Sequence, residues 1–248
     1  MRQTSLSRKT IDFSPYLVGT MRLGKWGENF NSKQWINFVE KSLELGLRDF
    51  DHADIYGDYT TAADFGNVLK EKPHWRDEMQ ITTKCGIKMP AENRPKHKIK
   101  SYDSGEKHIL QSVENSLRNL HTDYIDVLLL HRPDFLMNPN EIAETFEKLK
   151  DDGKVKYFGV SNFTPSQFEM INAVFPLVTH QLEASLGHLN PFKDGTLDQL
   201  LMKNIRPTAW SPLGGGHFMH KGNSKTEQEL NNTLKKLGEK YELNNAQL

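Results

Sequence analysis

Short apolar runs alternate with amphipathic stretches along most of this chain. Leu17-Val18-Gly19-Thr20-Met21 is the first strand candidate. From Ser32 to Leu45 the positions Trp35, Phe38, Val39, Ser42 and Leu43 follow three-four spacing, and Gly46 stands where a helix stops. Arg48 to Asp51 begins like a strand and ends in a polar cluster, Asp51-His52-Ala53-Asp54-Ile55-Tyr56-Gly57, which leaves Tyr56 in the loop beyond. Thr61 to Lys72 is helical up to Pro73, and the β-branched run Met79 to Lys84 is a strand. A long polar loop reaches Ser101, after which Asp103 and Glu106 have capping-box spacing before a helical face of Leu110, Val113, Leu117 and Leu120. Tyr124 to His131 is nearly continuously apolar, as in a strand buried on both faces. Asn138, Pro139 and Glu141 open the next helix, and Gly153 closes it. Tyr157 to Ser161, Val178 to Glu183 and Arg206 to Ser211 are further strands, and Thr164, Pro165 and Gln167 open another helix. Thr226 and Glu229 cap a last long helix to Tyr241, and Asn244 to Gln247 resembles the start of one more. Residues 1–16 hold only short apolar stretches, suggesting a small hairpin.

The strand ends fall near positions 21, 51, 84, 131, 161, 181 and 211, mostly about thirty residues apart. Strand and helix alternating at that period predict a parallel sheet covered by helices. No linker interrupts the seven units, so a single (β/α) barrel domain over residues 1–248 is expected. The rival is an open doubly wound sheet. It would carry a glycine-rich phosphate turn after its first strand, and Gly19-Thr20-Met21-Arg22-Leu23-Gly24 is not G-x-G-x-x-G.

Composition narrows the function. The 248 residues carry 32 basic and 32 acidic side chains, so general attraction to nucleic acid or an anionic membrane is not expected. No apolar run approaches the roughly 18–20 residues that span a bilayer. Residues 1–9 lack the apolar centre of a signal peptide, and Cys85 is the lone cysteine, which points to a reducing cytoplasm. If strand alternation holds, Cys85 points away from Lys84 and is structural. The basic stretch Lys88 to Lys100 reads as a solvated flap.

In a barrel, chemistry sits at the C-terminal strand ends. Those ends carry Asp51, Lys84, His131, Ser161-Asn162, Gln181 and Trp210-Ser211. Each alone is an ordinary loop carboxylate, surface lysine or packing residue; together they describe one chemistry. A tyrosine hydroxyl has a pKa near 10, too high for easy proton exchange at neutrality. A lysine ammonium beside it would lower that value, a carboxylate would hold the lysine charged, and a histidine would orient a carbonyl oxygen. Tyr56, Lys84, Asp51 and His131 supply that set, which suits protonation of a developing alkoxide. Hydride must come from elsewhere, so a nicotinamide cofactor is implied and a metal is not.

The same motifs resemble the aldo-keto reductases, in particular bacterial general aldo/keto oxidoreductases. The resemblance rests on 50–57 (FDHADIYG), Thr83-Lys84, 126–131 (DVLLLH), 153–163 (GKVKYFGVSNF) and 210–216 (WSPLGGG), and covers residues 17–216 in the family's order. It implies a tetrad of Asp51, Tyr56, Lys84 and His131, with Tyr56 as proton donor. It implies that Ser161, Asn162 and Gln181 hydrogen-bond the nicotinamide carboxamide and that Trp210 stacks on its ring. Ser211, Leu213 and Gly214 would lie along the pyrophosphate, and Gly19, Thr20 and Met21 near the nicotinamide. Trp26 is a candidate wall of the substrate pocket. The cofactor implied is NADPH, with NADH not excluded, and the partner a small carbonyl compound; a monomer or weak homodimer is expected.

The family barrel has eight strands, whereas the pattern here yields seven. The expected fold is therefore a (β/α)8 TIM barrel truncated after its seventh strand, without the region that in relatives grips the adenosine ribose phosphate. A fragment with weak cofactor binding is the expectation. Three other readings compete. A lysine aldolase would use Lys84 as a Schiff-base nucleophile. A metal hydrolase would use Asp51, His52, Asp54 and His131. A non-catalytic barrel would sense the cofactor or bind a partner.

Overall fold

A computed structural model of the protein describes residues 11–219 and 224–248. Most of the hairpin expected within residues 1–16 lies outside the described residues. Two compact units divide the chain, Met1–His180 and Gln181–Leu248. No helix among the described residues is long and apolar enough to cross a membrane.

The first unit alternates as its hydrophobic pattern requires. Strands β1 (Leu17–Gly19), β2 (Asp49–Asp51) and β3 (Gln80–Cys85) are interleaved with α1 (Ser32–Glu44), a single turn α2 (Tyr56–Tyr59) and α3 (Thr61–Glu71). A short hairpin, β4 (Ile87–Lys88) and β5 (Ser101–Tyr102), precedes α4 (Glu106–Leu120), β6 (Ile125–Leu130), α5 (Pro139–Asp151), β7 (Val155–Ser161) and α6 (Pro165–Asn172). β1, β2, β3, β6 and β7 pair in parallel in that order. Strand β8 (Thr179–Glu183) begins at the unit boundary. The second unit continues the alternation with α7 (Thr196–Met202), β9 (Arg206–Trp210) and α8 (Lys225–Tyr241).

Side-chain alternation assigns each sheet face. Phe50 and Ile81 are register partners and point toward the helices. They join Trp35, Val39, Phe65, Val68 and Leu69 of α1 and α3 in one buried cluster. Burying such a side chain contributes roughly 1.5–3 kcal/mol. Phe13, Val127 and Leu129 form a separate buried cluster with Leu17 and Tyr157. Helix α3 sits close to the end of α4. A Cβ on Gly66 would lie 1.9 Å from the Asn119 carbonyl oxygen, so only glycine permits that approach.

The start of β6 is held by an ion network whose Arg76 and Asp126 are buried. Arg76 pairs with Asp126 at 2.7 Å, and Lys156 reaches the other carboxylate oxygen at 3.0 Å. Asp126 also accepts the Ile81 amide, while Arg76 donates to Thr122, Met79 and Tyr124.

Helix α1 starts at Ser32 as expected, boxed by Asn31 at its N-cap and Gln34 in its first turn. Several local expectations shift. At α4 the N-cap is Gly105, and Asp103 instead accepts the Gly105 amide while Glu141 accepts that of Glu106. The buried α4 face is Ile109, Ser112, Val113, Ser116 and Leu120, so Val113 and Leu120 of the expected stripe are buried while Leu110 and Leu117 are replaced by Ile109 and two serines. Helix α8 is boxed by Ser224 and Glu227, two residues before the expected pair, and of its apolar face Leu234 is buried while Leu237 and Tyr241 are exposed. Asn244 and Gln247 do bond reciprocally, but the segment remains a turn. The long polar loop before Ser101 turns out to be clamped at its base by the β4–β5 pairing.

Candidate active site

Strand register explains how residues far apart in sequence share one face. Asp51 pairs with Thr82, so Lys84, two residues on, points to the same side one step higher. Lys84 pairs with Leu129, which places His131 on that side a further step along. Leu129 pairs with Gly159, and Ser161 follows by the same rule. Asp51, Lys84, His131 and Ser161 therefore climb the sheet as a staircase at its C-terminal edge. The edge is stitched by backbone bonds: Thr20 N–H to Asp51, His52 N–H to Thr82, Asp54 N–H to Lys84 and His131 N–H to Cys85, all 2.8–3.1 Å.

Lys84 is the hub. Its side chain is 1 % exposed. The ammonium donates to both Asp51 oxygens at 2.8 Å, to the His52 carbonyl at 2.8 Å and to the Tyr56 hydroxyl at 3.1 Å. Three N–H groups thus meet three acceptor groups. Burial disfavours the charge, but Asp51 and Tyr56 outweigh it and hold Lys84 above its ordinary pKa. A charged lysine with every proton engaged is a poor Schiff-base nucleophile, which argues against the aldolase reading.

Tyr56 is brought to Lys84 by an unusual turn. Gly57, Asp58 and Tyr59 have φ of 59°, 56° and 69°, three left-handed residues in succession. A Cβ on Gly57 would fall 2.4 Å from the Thr61 hydroxyl, so this position needs glycine for space as well as conformation. Burial raises the Tyr56 pKa above 10 and Lys84 opposes it without reversing the shift. Lys84 does lower this value as expected, but removing the phenol from water is the larger effect and sets the net direction. Tyr56 is consequently held in its protonated form at neutral pH.

His131 stands edge-on to Tyr56, ring centres 6.1 Å apart. Burial first, then Lys84, Arg132 and Lys100, push its pKa well below the usual 6.5, so the imidazole is neutral. Its Nδ1 is buried and makes no hydrogen bond within the described residues. The half-buried Trp26 ring also lies near Tyr56, with ring centres 6.2 Å apart.

The remaining expected residues are placed as follows. Ser161 is buried, and Asn162 (φ 61°) donates to the Ser161 hydroxyl and to the His131 carbonyl. Thr20 is buried with its hydroxyl bonded to the Asp51 carbonyl and to His52 Nδ1, whereas Gly19 and Met21 are exposed. His52 packs on Phe65, ring centres 4.5 Å apart, and Asp54 is bonded toward Ser112, so neither shares the direction of Asp51 as a metal site would require. Cys85 is buried on the opposite side from Lys84, and burial pushes its thiol well above its ordinary range.

In the second unit, Gln181 is buried on β8 and Trp210 ends β9. Ser211 has φ 49°, and Gly214, Gly215 and Gly216 all have positive φ. Among the described residues, no atom lies within 4 Å of where a Cβ would stand on Gly215 or Gly216. Such open, glycine-lined backbone is suited to close approach by a phosphate group.

Two features escaped the sequence. Tyr59 holds the hairpin: its hydroxyl accepts the Met89 amide at 2.7 Å and pairs with the Met89 carbonyl and His97. Asp58 joins Lys25, Trp26 and Asn93. The Gly57-Asp58 pair signals a turn, but nothing local identifies those partners.

Comparison with known proteins agrees with this geometry. The family model described as the aldo/keto reductase family matches residues 17–248. The oxidoreductase YdhF of Escherichia coli (strain K12) is 45 % identical over 222 residues, 89 % of this chain and 73 % of that protein. A 6-dehydroglucose reductase of Agrobacterium fabrum is 41 % identical over 218 residues, 87 % of this chain and 73 % of that protein. The solved structure of a glycerol dehydrogenase from Gluconobacter oxydans superposes with a TM-score of 0.82 at 27 % identity, covering 96 % of this chain and 78 % of that one. These matches give the chain the (β/α)8 barrel fold class, with no eighth strand–helix unit among the described residues, and an oxidoreductase's general chemistry of carbonyl reduction. Through its strand-end residues, its fold and its relatives, the chain belongs to the aldo/keto reductase family.

Proposed function

We propose that this protein reduces the carbonyl of a small aldehyde or ketone with Tyr56 as proton donor and NADPH as cofactor. One observation carries the reading. Lys84 spends its protons on Asp51, the His52 carbonyl and the Tyr56 oxygen, so the tyrosine accepts from lysine and its own hydrogen is left to give away. A reduced nicotinamide, when bound, would supply the hydride.

The chain's residues then divide the remaining work. Asp51 keeps Lys84 charged and aimed. Lys84 stabilises the phenolate that forms as Tyr56 releases its proton to the carbonyl oxygen. His131, neutral and beside Tyr56, orients that oxygen. By the family pattern, Ser161, Asn162 and Gln181 would hold the carboxamide and Trp210 would stack on the ring. Ser211, Leu213 and Gly214 would follow the pyrophosphate, and Gly19, Thr20 and Met21 the nicotinamide end. Trp26 forms a wall of the substrate site. The names of two relatives, a 6-dehydroglucose reductase and a glycerol dehydrogenase, support testing polyhydroxylated carbonyl compounds first. A reducing cytoplasm suits the buried free thiol of Cys85.

The test is Tyr56→Phe, assayed by NADPH oxidation with 4-nitrobenzaldehyde and with a sugar aldehyde, NADH serving as the comparison. Losing the proton donor should lower turnover by about 10²–10⁴-fold. NADPH affinity, followed by fluorescence quenching, should change by no more than about two-fold, because the ring remains. Undiminished turnover would remove Tyr56 from this role.

A further inference from the structure

We propose that Asp58 is a positioning residue whose carboxylate clamps the Trp26 indole beside Tyr56 and thereby shapes the mouth of the carbonyl site. The inference rests on the reading of Tyr56 as proton donor. Both carboxylate oxygens are engaged: Oδ1 accepts the Trp26 indole N–H at 3.0 Å, and Oδ2 pairs with Lys25 Nζ at 2.6 Å. The Asp58 carbonyl accepts from the Asn93 side chain at 2.9 Å. One residue thus ties the loop after β1, the turn bearing Tyr56 and the hairpin segment between β4 and β5.

Its backbone indicates that this arrangement is held by its surroundings. Asp58 has φ 56° and ψ 44° between two other left-handed residues. A residue with a Cβ occupies that region only where its neighbours hold it there. The turn that exposes the Tyr56 hydroxyl to Lys84 is the same turn that carries Asp58 to Trp26. Lys25 is more than half exposed, so its ion pair alone contributes little. The directional bond is the one to the indole. Lys25 and Trp26 together keep the Asp58 carboxyl below its ordinary range, hence ionised at neutral pH. Tyr56 then has the Trp26 ring centre at 6.2 Å and the His131 ring centre at 6.1 Å. Asp58 acts through Trp26 and takes no part in proton transfer.

The test combines a spectroscopic and a kinetic readout. In protein labelled with 15N at indole nitrogens, the Trp26 resonance is assigned with Trp26→Phe. Asp58→Ala should move that resonance upfield and speed its hydrogen exchange, and Asp58→Asn should restore part of both. With 4-nitrobenzaldehyde, Asp58→Ala should raise KM about ten-fold while kcat stays within about two-fold, the split expected when positioning is lost and chemistry is kept. In a Trp26→Phe background the same change should move KM less than about two-fold. An unmoved indole resonance, or an equal KM effect in both backgrounds, would overturn the clamp. The two readings fail separately: full turnover in Tyr56→Phe removes the proton donor, whereas the indole spectrum alone can remove the bond to Asp58.

Discussion

Replacing Lys84 with methionine isolates the interaction on which the site depends. Methionine keeps nearly the same length, so the packing of a side chain that is 1 % exposed is largely retained and no large cavity opens. What disappears is the ammonium that both Asp51 oxygens, the His52 carbonyl and the Tyr56 hydroxyl bond. The Asp51 side chain is 12 % exposed and would be left as a buried charge without that partner. Removing one member of a buried ion pair destabilises by about 3–5 kcal/mol. Asp51→Asn alone strands the lysine in the same way. The double variant strands neither charge, so its loss should fall short of the sum of the singles by about 2–3 kcal/mol. Urea unfolding followed by tryptophan fluorescence measures all four proteins. Turnover should drop about 10²–10⁴-fold in Lys84→Met, since the phenolate loses its stabilising charge. A Lys84→Met protein within about 1 kcal/mol of wild type, or strictly additive single losses, would refute the description of Lys84 as a buried hub.

Two other tests probe buried charge elsewhere. Burial, working against the Ile55 amide, Ser112, Arg94 and Lys84, pushes the Asp54 carboxyl up to about 7. The folded state therefore holds its proton more tightly than the unfolded chain, and stability declines as pH rises from the ordinary 3.8 through about 7. Asp54→Asn escapes that decline, so its stability relative to wild type should improve by about 2–3 kcal/mol between pH 5 and pH 8 in urea titrations; a constant difference would show that Asp54 titrates normally. Asp126→Asn should cost about 3–5 kcal/mol, because Arg76 is nearly buried against it at 2.7 Å, yet leave kcat unchanged, since the pair lies at the strand ends remote from Lys84 and His131. A loss below about 1 kcal/mol would mean that Thr122 and the Met79 and Tyr124 carbonyls satisfy Arg76 without the carboxylate.

Much of the architecture was legible in the pattern of apolar residues. Strand ends at Asp51, Lys84, His131 and Ser161 were visible because a strand buried on both faces must be apolar until it reaches the loop. Helix caps were less secure. Ser224 and Glu227 satisfy the same spacing rule as Thr226 and Glu229, and only the folded chain chooses between them. The leucine stripe of α4 misled because two of the buried positions, Ser112 and Ser116, carry no hydrophobic signal. The base of the polar flap was invisible because its two strands, Ile87–Lys88 and Ser101–Tyr102, are only two residues long each.

By itself the sequence determined which side chains could meet at the strand ends, through alternation, spacing and residue type. Tertiary structure decided how they meet. Register turned four separate strand ends into a staircase, and depth of burial reversed the expected direction of the Tyr56 shift. The left-handed turn at 57–59 and the bond from Trp26 to Asp58, 32 residues apart, follow from contacts that no local pattern encodes. The physical reason is range. Propensity and periodicity act over a few residues, whereas desolvation and hydrogen-bond partnership depend on what the rest of the chain places alongside.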